Sequence, residues 1–218
     1  MNKLWSEQNK TMQTQMKKKD TYEAGINTLF DLRNQLMEIL TSFHEELSRD
    51  DFDAIPFIDA NGYHSKTIAY SIWHIFRIED IVAHTLISED EQVFFSGNYQ
   101  ERIHSPIITT GNELVKEQIA DFSKQLNIKE LYSYIFAVKD STEKIINSLS
   151  YDQLKKKVSE ERREHLKLLN VVSNDENAIW LIDYWCGRDI RGLIQMPFSR
   201  HWIMHIEASL RIKNKIRS

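Results

Sequence analysis

The chain has 218 residues, enough for one well-packed domain, and a formal charge of -4 with mixed signs, which gives no long-range attraction to nucleic acid. Only 6 Gly and 3 Pro occur, so helices are favoured over tight-turned β architectures, and the expected fold class is all-α. The single cysteine, Cys186, excludes an internal disulfide framework, the opening "MNKLWSEQNK" lacks the apolar core of a secretory signal, and no apolar run is long enough to cross a bilayer. A soluble protein of the reducing cytoplasm is expected, with no nucleic acid or membrane partner.

Residues 1–20 read as a polar N-terminal arm, and residues 21–218 as one helical bundle domain. After the arm, Ile26, Leu29, Leu32, Leu36, Leu40, Phe43 and Leu47 recur at steps of three and four, which predicts an amphipathic helix ending before "SRDDFDAIPFIDANGYHS". A second helix is predicted from about Ser65 to Ser88; it carries "SIWHIFRIED" and is apolar on more than one side. The stretch Glu89 to Thr110 reads as a long crossover loop. "TGNE" at Thr110 and "NIKE" at Asn127 each resemble a capping box and predict two helix starts, the second followed by a stripe of Leu131, Tyr134, Val138, Thr142, Ile145 and Leu149. Ser150 with Gln153 suggests a restart, a charged helix runs to about Leu169, and "ENAIWLIDYWC" is closed by Gly187. Pro197 is predicted to open the last helix, where its missing N–H costs nothing. "KKK" at Lys17 and at Lys155 reads as solvated helix surface.

In that last helix, "MPFSRHWIMHIEASLRI" places His201 and His205 on one face, about 40° apart at helical pitch, with Ala208 and Ile212 continuing it. Glu207, Arg211 and Asn214 make a polar stripe on the other side, so the pair points inward. Two imidazoles on a core face either hydrogen-bond to their neighbours or share a cation. His74 on the second helix also points inward, with Tyr70, Ser71, Ile78, Ile81 and Thr85 on its face. Three neutral imidazoles suit one zinc, nickel or similar borderline divalent ion and leave positions open for water, as a catalytic site requires.

The other histidines are weaker candidates. His84 shares a stripe with Arg77 and Asp80 and is expected at the surface, paired with Asp80; His44, His64 and His104 fall at helix ends or in loops; His165 lies on the inner stripe of its helix with Val158 and Leu169. Glu79 falls among Ile68, Ile72, Ala83 and Leu86, where an unpaired carboxylate is costly, so it needs either a ligating histidine's free ring nitrogen or an Arg or backbone group. Cys186 beside Trp185 reads as packing rather than as a nucleophile. The only Glu-x-x-His unit, Glu101 to His104, lies in the predicted loop, so a di-iron bundle is not supported, and neither a phosphate-binding glycine loop nor a Gly-x-Ser-x-Gly elbow occurs.

"YSIWHIFRIED", followed far downstream by "WCGRDIRGLIQMPFSRHWIMHIEASLRI", resembles the DinB-like superfamily of helical proteins. The resemblance implies a four-helix bundle with a crossover, frequent homodimers, and one metal ion, commonly zinc or nickel, held by a histidine of the second helix and an H-x-x-x-H pair on the last long helix. Carried onto this chain, these are His74, His201 and His205. The region Glu89 to Leu126 and the helix around Leu154 to Leu169 align less well with the family. Characterised relatives join a low-molecular-weight thiol to electrophiles, and others resemble metal-dependent hydrolases. The expected function is therefore a metal-dependent enzyme that activates water or a low-molecular-weight thiol toward a small electrophile, as thiol S-transferase or hydrolase. The competing reading is a non-catalytic metal-binding or stress-response interaction protein in which the same histidines only fix the bundle.

Overall fold

The computed structural model describes residues 2–218, which are all-helical: 71% of them are helix and none forms a strand. The helices are α1 (Lys3–Gln15), α2 (Tyr22–Glu46), α3 (Arg49–Asp53), α4 (Ile68–Asp80), α5 (Val93–Ser96), α6 (Tyr99–Ile103), α7 (Glu117–Gln125), α8 (Ile128–Ser148), α9 (Glu160–Leu168), α10 (Trp180–Cys186), α11 (Ile190–Gln195) and α12 (His201–Ile216). Two π segments extend them, Ile81–Ser88 after α4 and Met196–Arg200 between α11 and α12. No helix among the described residues is long and apolar enough to cross a membrane.

The long helices follow the sequence pattern. In α2 the predicted stripe is buried from Ile26 to Phe43. In α8 Asn127 caps the first turn by accepting the Glu130 N–H at 3.3 Å, as "NIKE" predicts, and Leu131, Tyr134, Val138 and Thr142 are buried. Every residue of α4 is buried, so its polar side chains must all find partners inside the protein. α4 packs on α8 and α12, and α2 also touches both.

Four expectations need correction. The first residues are not a polar arm: α1 packs along α2, with Trp5 and Met12 buried. The stretch Glu89 to Thr110 contains α5 and α6, broken at Asn98 and His104 by left-handed backbone. "TGNE" does not start a helix, because the Thr110 hydroxyl bonds Asn112 and Glu113 bonds Thr109 instead of capping; α7 begins at Glu117. Pro197 does not open the last helix: the chain passes through it from α11 to α12 as a π turn. A proline ring clashes with the carbonyl four residues earlier in α-helical geometry, and the wider turn relieves that clash.

The interior divides into two apolar clusters. One contains Leu32 and Leu36 of α2, Trp73 and Phe76 of α4, Tyr134 and Val138 of α8, and Trp202 of α12; the other contains Leu29, Ile78, Ile146 and Phe198. At the changeover on each element stands a polar group of one network. Arg33 of α2 grips Glu79 of α4 through two bonds of 2.9 and 2.7 Å, reaches Glu143 of α8 at 3.0 Å and donates to the Phe198 carbonyl at 3.0 Å. The Trp202 indole N–H donates to Glu79 at 2.8 Å, and the Arg33 guanidinium lies 4.3 Å from the Trp202 ring. Burial opposes the Arg33 charge, but Glu79 and Glu143 outweigh it and raise its pKa. Of the two partners expected for Glu79, the structure supplies the arginine. Removing one member of such a fully buried pair leaves the other charge uncompensated, at a cost of about 3–5 kcal/mol. Urea unfolding of Glu79→Ala should show a loss of that size, and Arg33→Met with Glu79→Met should recover about half or more of it; a loss under about 1 kcal/mol for Glu79→Ala would contradict this account.

Candidate metal centre

His74, His201 and His205 converge, and all three are buried. Each offers a ligand atom, and these atoms lie within 4.8 Å of one another; the ring centroids are 5.0, 4.8 and 4.7 Å apart. The pair on α12 meets the α4 histidine because α4 and α12 pack directly, with Trp202 bonded to Glu79 beside the contact.

Three side chains of α4, at positions 70, 74 and 77, grip the backbone of the segment that leads into α7. The Tyr70 hydroxyl donates to the Gly111 carbonyl at 2.9 Å, the His74 Nδ1–H to the Thr110 carbonyl at 2.7 Å, and Arg77 Nε to the Ile108 carbonyl at 2.9 Å. Because Nδ1 carries that proton, Nε2 of His74 keeps its lone pair, which is how a ligating imidazole is usually oriented. Gly111 has φ +76°, and a Cβ there would stand 3.1 Å from the Tyr70 ring, so the turn suits glycine. Tyr70 in turn stacks on the His74 ring at 5.3 Å and 12°.

His201 and His205 each leave a buried Nδ1 without a protein partner. Orphaned polar atoms in a dry interior are costly unless something meets them. Burial pushes the His74 pKa down to about 4 and holds His201 and His205 well below the ordinary histidine range, with the neighbouring histidines lowering the α12 pair further. All three imidazoles are neutral at pH 7, the form in which histidine donates to a cation. The donor set therefore fits a borderline divalent ion, and this buried three-histidine group could hold one.

Beside the cluster lies a cavity of about 220 Å³, lined by His74 and His201 together with Tyr63, Asn112 and, from α10, Trp180, Leu181, Tyr184 and Trp185. Ile78 and the π-turn residues Met196 and Pro197 complete the lining. Tyr63 stands edge-on to His205 at 4.8 Å and 86°.

The remaining histidines do not join the group. His84 is buried rather than at the surface: its Nδ1 meets Asp90 at 2.5 Å and its Nε2 meets Ser141 at 3.1 Å, while Asp80, the expected partner, is 3.8 Å away. Asp80 instead receives the N–H groups of Val93 and Phe94 and the Tyr134 hydroxyl, tying α5 to α4. His165 is exposed on α9, not inward. His44 packs on Tyr132, and His64 accepts a hydrogen bond from Arg211. Cys186 is half-buried and outside the cavity lining, and burial raises its thiol pKa. Sequence reasoning missed Thr110 as the orienting partner of His74, and missed Tyr63, Asn112 and Trp180. "TGNE" drew attention to the right segment for the wrong reason, and nothing in the local pattern signals a carbonyl partner 36 residues away.

No protein-family model matches the chain, and no curated protein matches it.

The buried imidazoles generate a pH dependence. An unfolded histidine titrates near 6.5, whereas folded His74 titrates near about 4, so between these values the unfolded state binds more protons than the folded one. Stability of the protein in chelator should be full above about pH 6.5 and fall as the pH drops through 6.5 toward 4. The urea midpoint should follow that course in the wild type and fall less steeply in His205→Leu; a midpoint flat across the window would contradict the burial of neutral histidines.

Proposed function

We propose that this chain is a metal-dependent enzyme of the DinB-like type, a four-helix bundle with a long crossover, whose mononuclear three-histidine site activates water or a low-molecular-weight thiol toward a small electrophilic substrate. The observation that carries the reading is that two of the three clustered histidines, His74 and His201, also line the cavity. A histidine group sealed on every side could only brace helices; one that opens on a cavity has room beside it for a reacting molecule. The packing of α4 on α8 and α12, and of α2 on the same two helices, supports the bundle reading, and the long path from Glu89 through α5 to α7 is consistent with a crossover. The family resemblance adds the zinc or nickel expectation and a homodimer, and the single half-buried cysteine suits a cytoplasmic setting.

When bound, a divalent cation supplies Lewis-acid charge and lowers the pKa of the nucleophile. The chain's own residues prepare the site for it. Thr110 holds His74 in the tautomer that presents Nε2, and burial keeps all three imidazoles neutral. The aromatic walls of the cavity leave little room for water beside the reacting groups once a substrate fills it. Tyr63 lines the cavity and sits against His205; burial raises its pKa, so at neutral pH it is a hydroxyl able to donate to a substrate oxygen. Cys186 lies outside the lining, so thiol chemistry here needs an external thiol.

The test is to incubate zinc- or nickel-loaded protein with a model electrophile, add a range of low-molecular-weight thiols, and follow conjugate formation against His74→Ala. The expected result is conjugation that depends on metal and on one class of thiol, with a loss of at least about a hundredfold in the variant. Rates that depend on metal but on no thiol would favour hydrolysis, and rates that depend on neither would favour the non-catalytic binding protein.

A further inference from the structure

The cavity beside the histidines has a chemical character of its own. Four aromatic side chains, Tyr63, Trp180, Tyr184 and Trp185, contribute to its wall, and no Asp, Glu, Lys or Arg lines it. The wall on the α10 side is built to hold its shape. The Trp180 indole N–H donates to the Asn177 carbonyl at 2.9 Å, its ring meets Tyr184 edge-on at 5.7 Å, and the Arg188 guanidinium covers Tyr184 at 4.1 Å. Trp180 is nevertheless 49% exposed, far more than such a side chain needs to be, so part of its ring faces outward with no protein to cover it.

Size narrows the occupant. A dry cavity of about 150 Å³ accepts benzene, so one of about 220 Å³ accommodates a single ring with a substituent. Charge narrows it further, because an ionised group entering a wall of neutral aromatics and aliphatics would lose its hydration without gaining a partner. Besides the histidines, the polar groups on the lining side chains include the Tyr63 and Tyr184 hydroxyls and one carboxamide, Asn112. The Thr110 hydroxyl donates to its Oδ1 at 2.8 Å and receives the Asn112 backbone N–H at 3.4 Å, which fixes the amide's orientation and leaves Nδ2 as its unengaged donor. The occupant should therefore present an acceptor. Thr110 thus serves both groups, its carbonyl orienting His74 and its hydroxyl orienting Asn112.

We infer that this cavity is the binding site for a neutral, single-ring aromatic molecule carrying a hydrogen-bond acceptor such as a carbonyl, with Asn112 the residue that selects for the acceptor. This names the substrate class of the proposed enzyme and rests on that reading for its catalytic meaning, while the binding itself does not require the metal.

Calorimetric titration of the full-length protein in chelator tests it with three probes: acetophenone, which has ring and acceptor; ethylbenzene, which lacks the acceptor; and benzoate, which is charged. Acetophenone should bind, and benzoate should bind at least about tenfold more weakly. Asn112→Leu should weaken acetophenone about tenfold, the effect of one hydrogen bond, and leave ethylbenzene unchanged. Trp180→Ala, at a half-exposed position, should weaken both. Benzoate binding as tightly as acetophenone, no binding of acetophenone, or acetophenone affinity indifferent to both variants would each overturn the assignment. Zinc uptake by the same samples reports on the metal reading alone. Loss of zinc uptake with aromatic binding intact would remove the proposed enzyme and leave this assignment standing, and zinc uptake without aromatic binding would do the reverse.

Discussion

The buried pairing of Arg33 with Glu79 is the constraint on which the rest of the arrangement depends. Taking a guanidinium and a carboxylate wholly out of water is costly, and the cost is met only if both groups are bonded on all sides. Here that requirement draws in α8 through Glu143, the π turn through the Phe198 carbonyl and α12 through Trp202. Apolar packing alone tolerates sliding of one helix on another, because one greasy contact substitutes for the next. A fully bonded polar layer between two apolar clusters does not, and it sets the height of α12 relative to α4. Glu79 is five residues beyond His74, and Trp202 is the immediate neighbour of His201, so the register that pairs these two also brings the histidines together.

A second polar system does for the segment between α4 and α7 what the first does for the helices. Asp80 receives the backbone of α5, Arg77 bonds Gln92 at 2.7 Å and the Ile108 carbonyl, and Tyr70 and His74 hold the next carbonyls along. The long excursion after Ser88 is thereby fastened to α4 along its length. The consequence for chemistry is local: the carbonyl that fixes the His74 tautomer is delivered by a segment that has no regular structure at that point. The π turn around Pro197 contributes similarly, since a backbone irregularity turns Met196 and Pro197 toward the cavity and offers the Phe198 carbonyl to Arg33.

The all-helical class, α2 and the stripe of α8 were legible because their burial is one-sided and periodic, and the inward direction of His201 and His205 followed from the polar stripe on the opposite face of the same helix. His74 was legible for a different reason: on a helix buried on every side, any histidine points inward. That same all-round burial defeated the reading of His84, whose apparent charged stripe is an internal network. α1 was missed because its buried face is carried by only a few large residues, Trp5 and Met12 among them, in an otherwise polar run. Thr110, Asn112 and Tyr63 were beyond reach because their roles come from backbone carbonyls, turn geometry and contacts between segments distant in the chain, none of which leaves a periodic trace.

The proposed metal centre requires that His74, His201 and His205 together hold one cation. Elemental analysis of protein purified without a histidine tag, followed by zinc titration of the chelated sample, tests it most directly, with His74→Ala and His201→Ala measured alongside. The wild type should carry one divalent ion per chain, and either variant, still folded, should lose at least about a hundredfold in affinity. Wild-type protein that binds zinc no more tightly than the variants would contradict it.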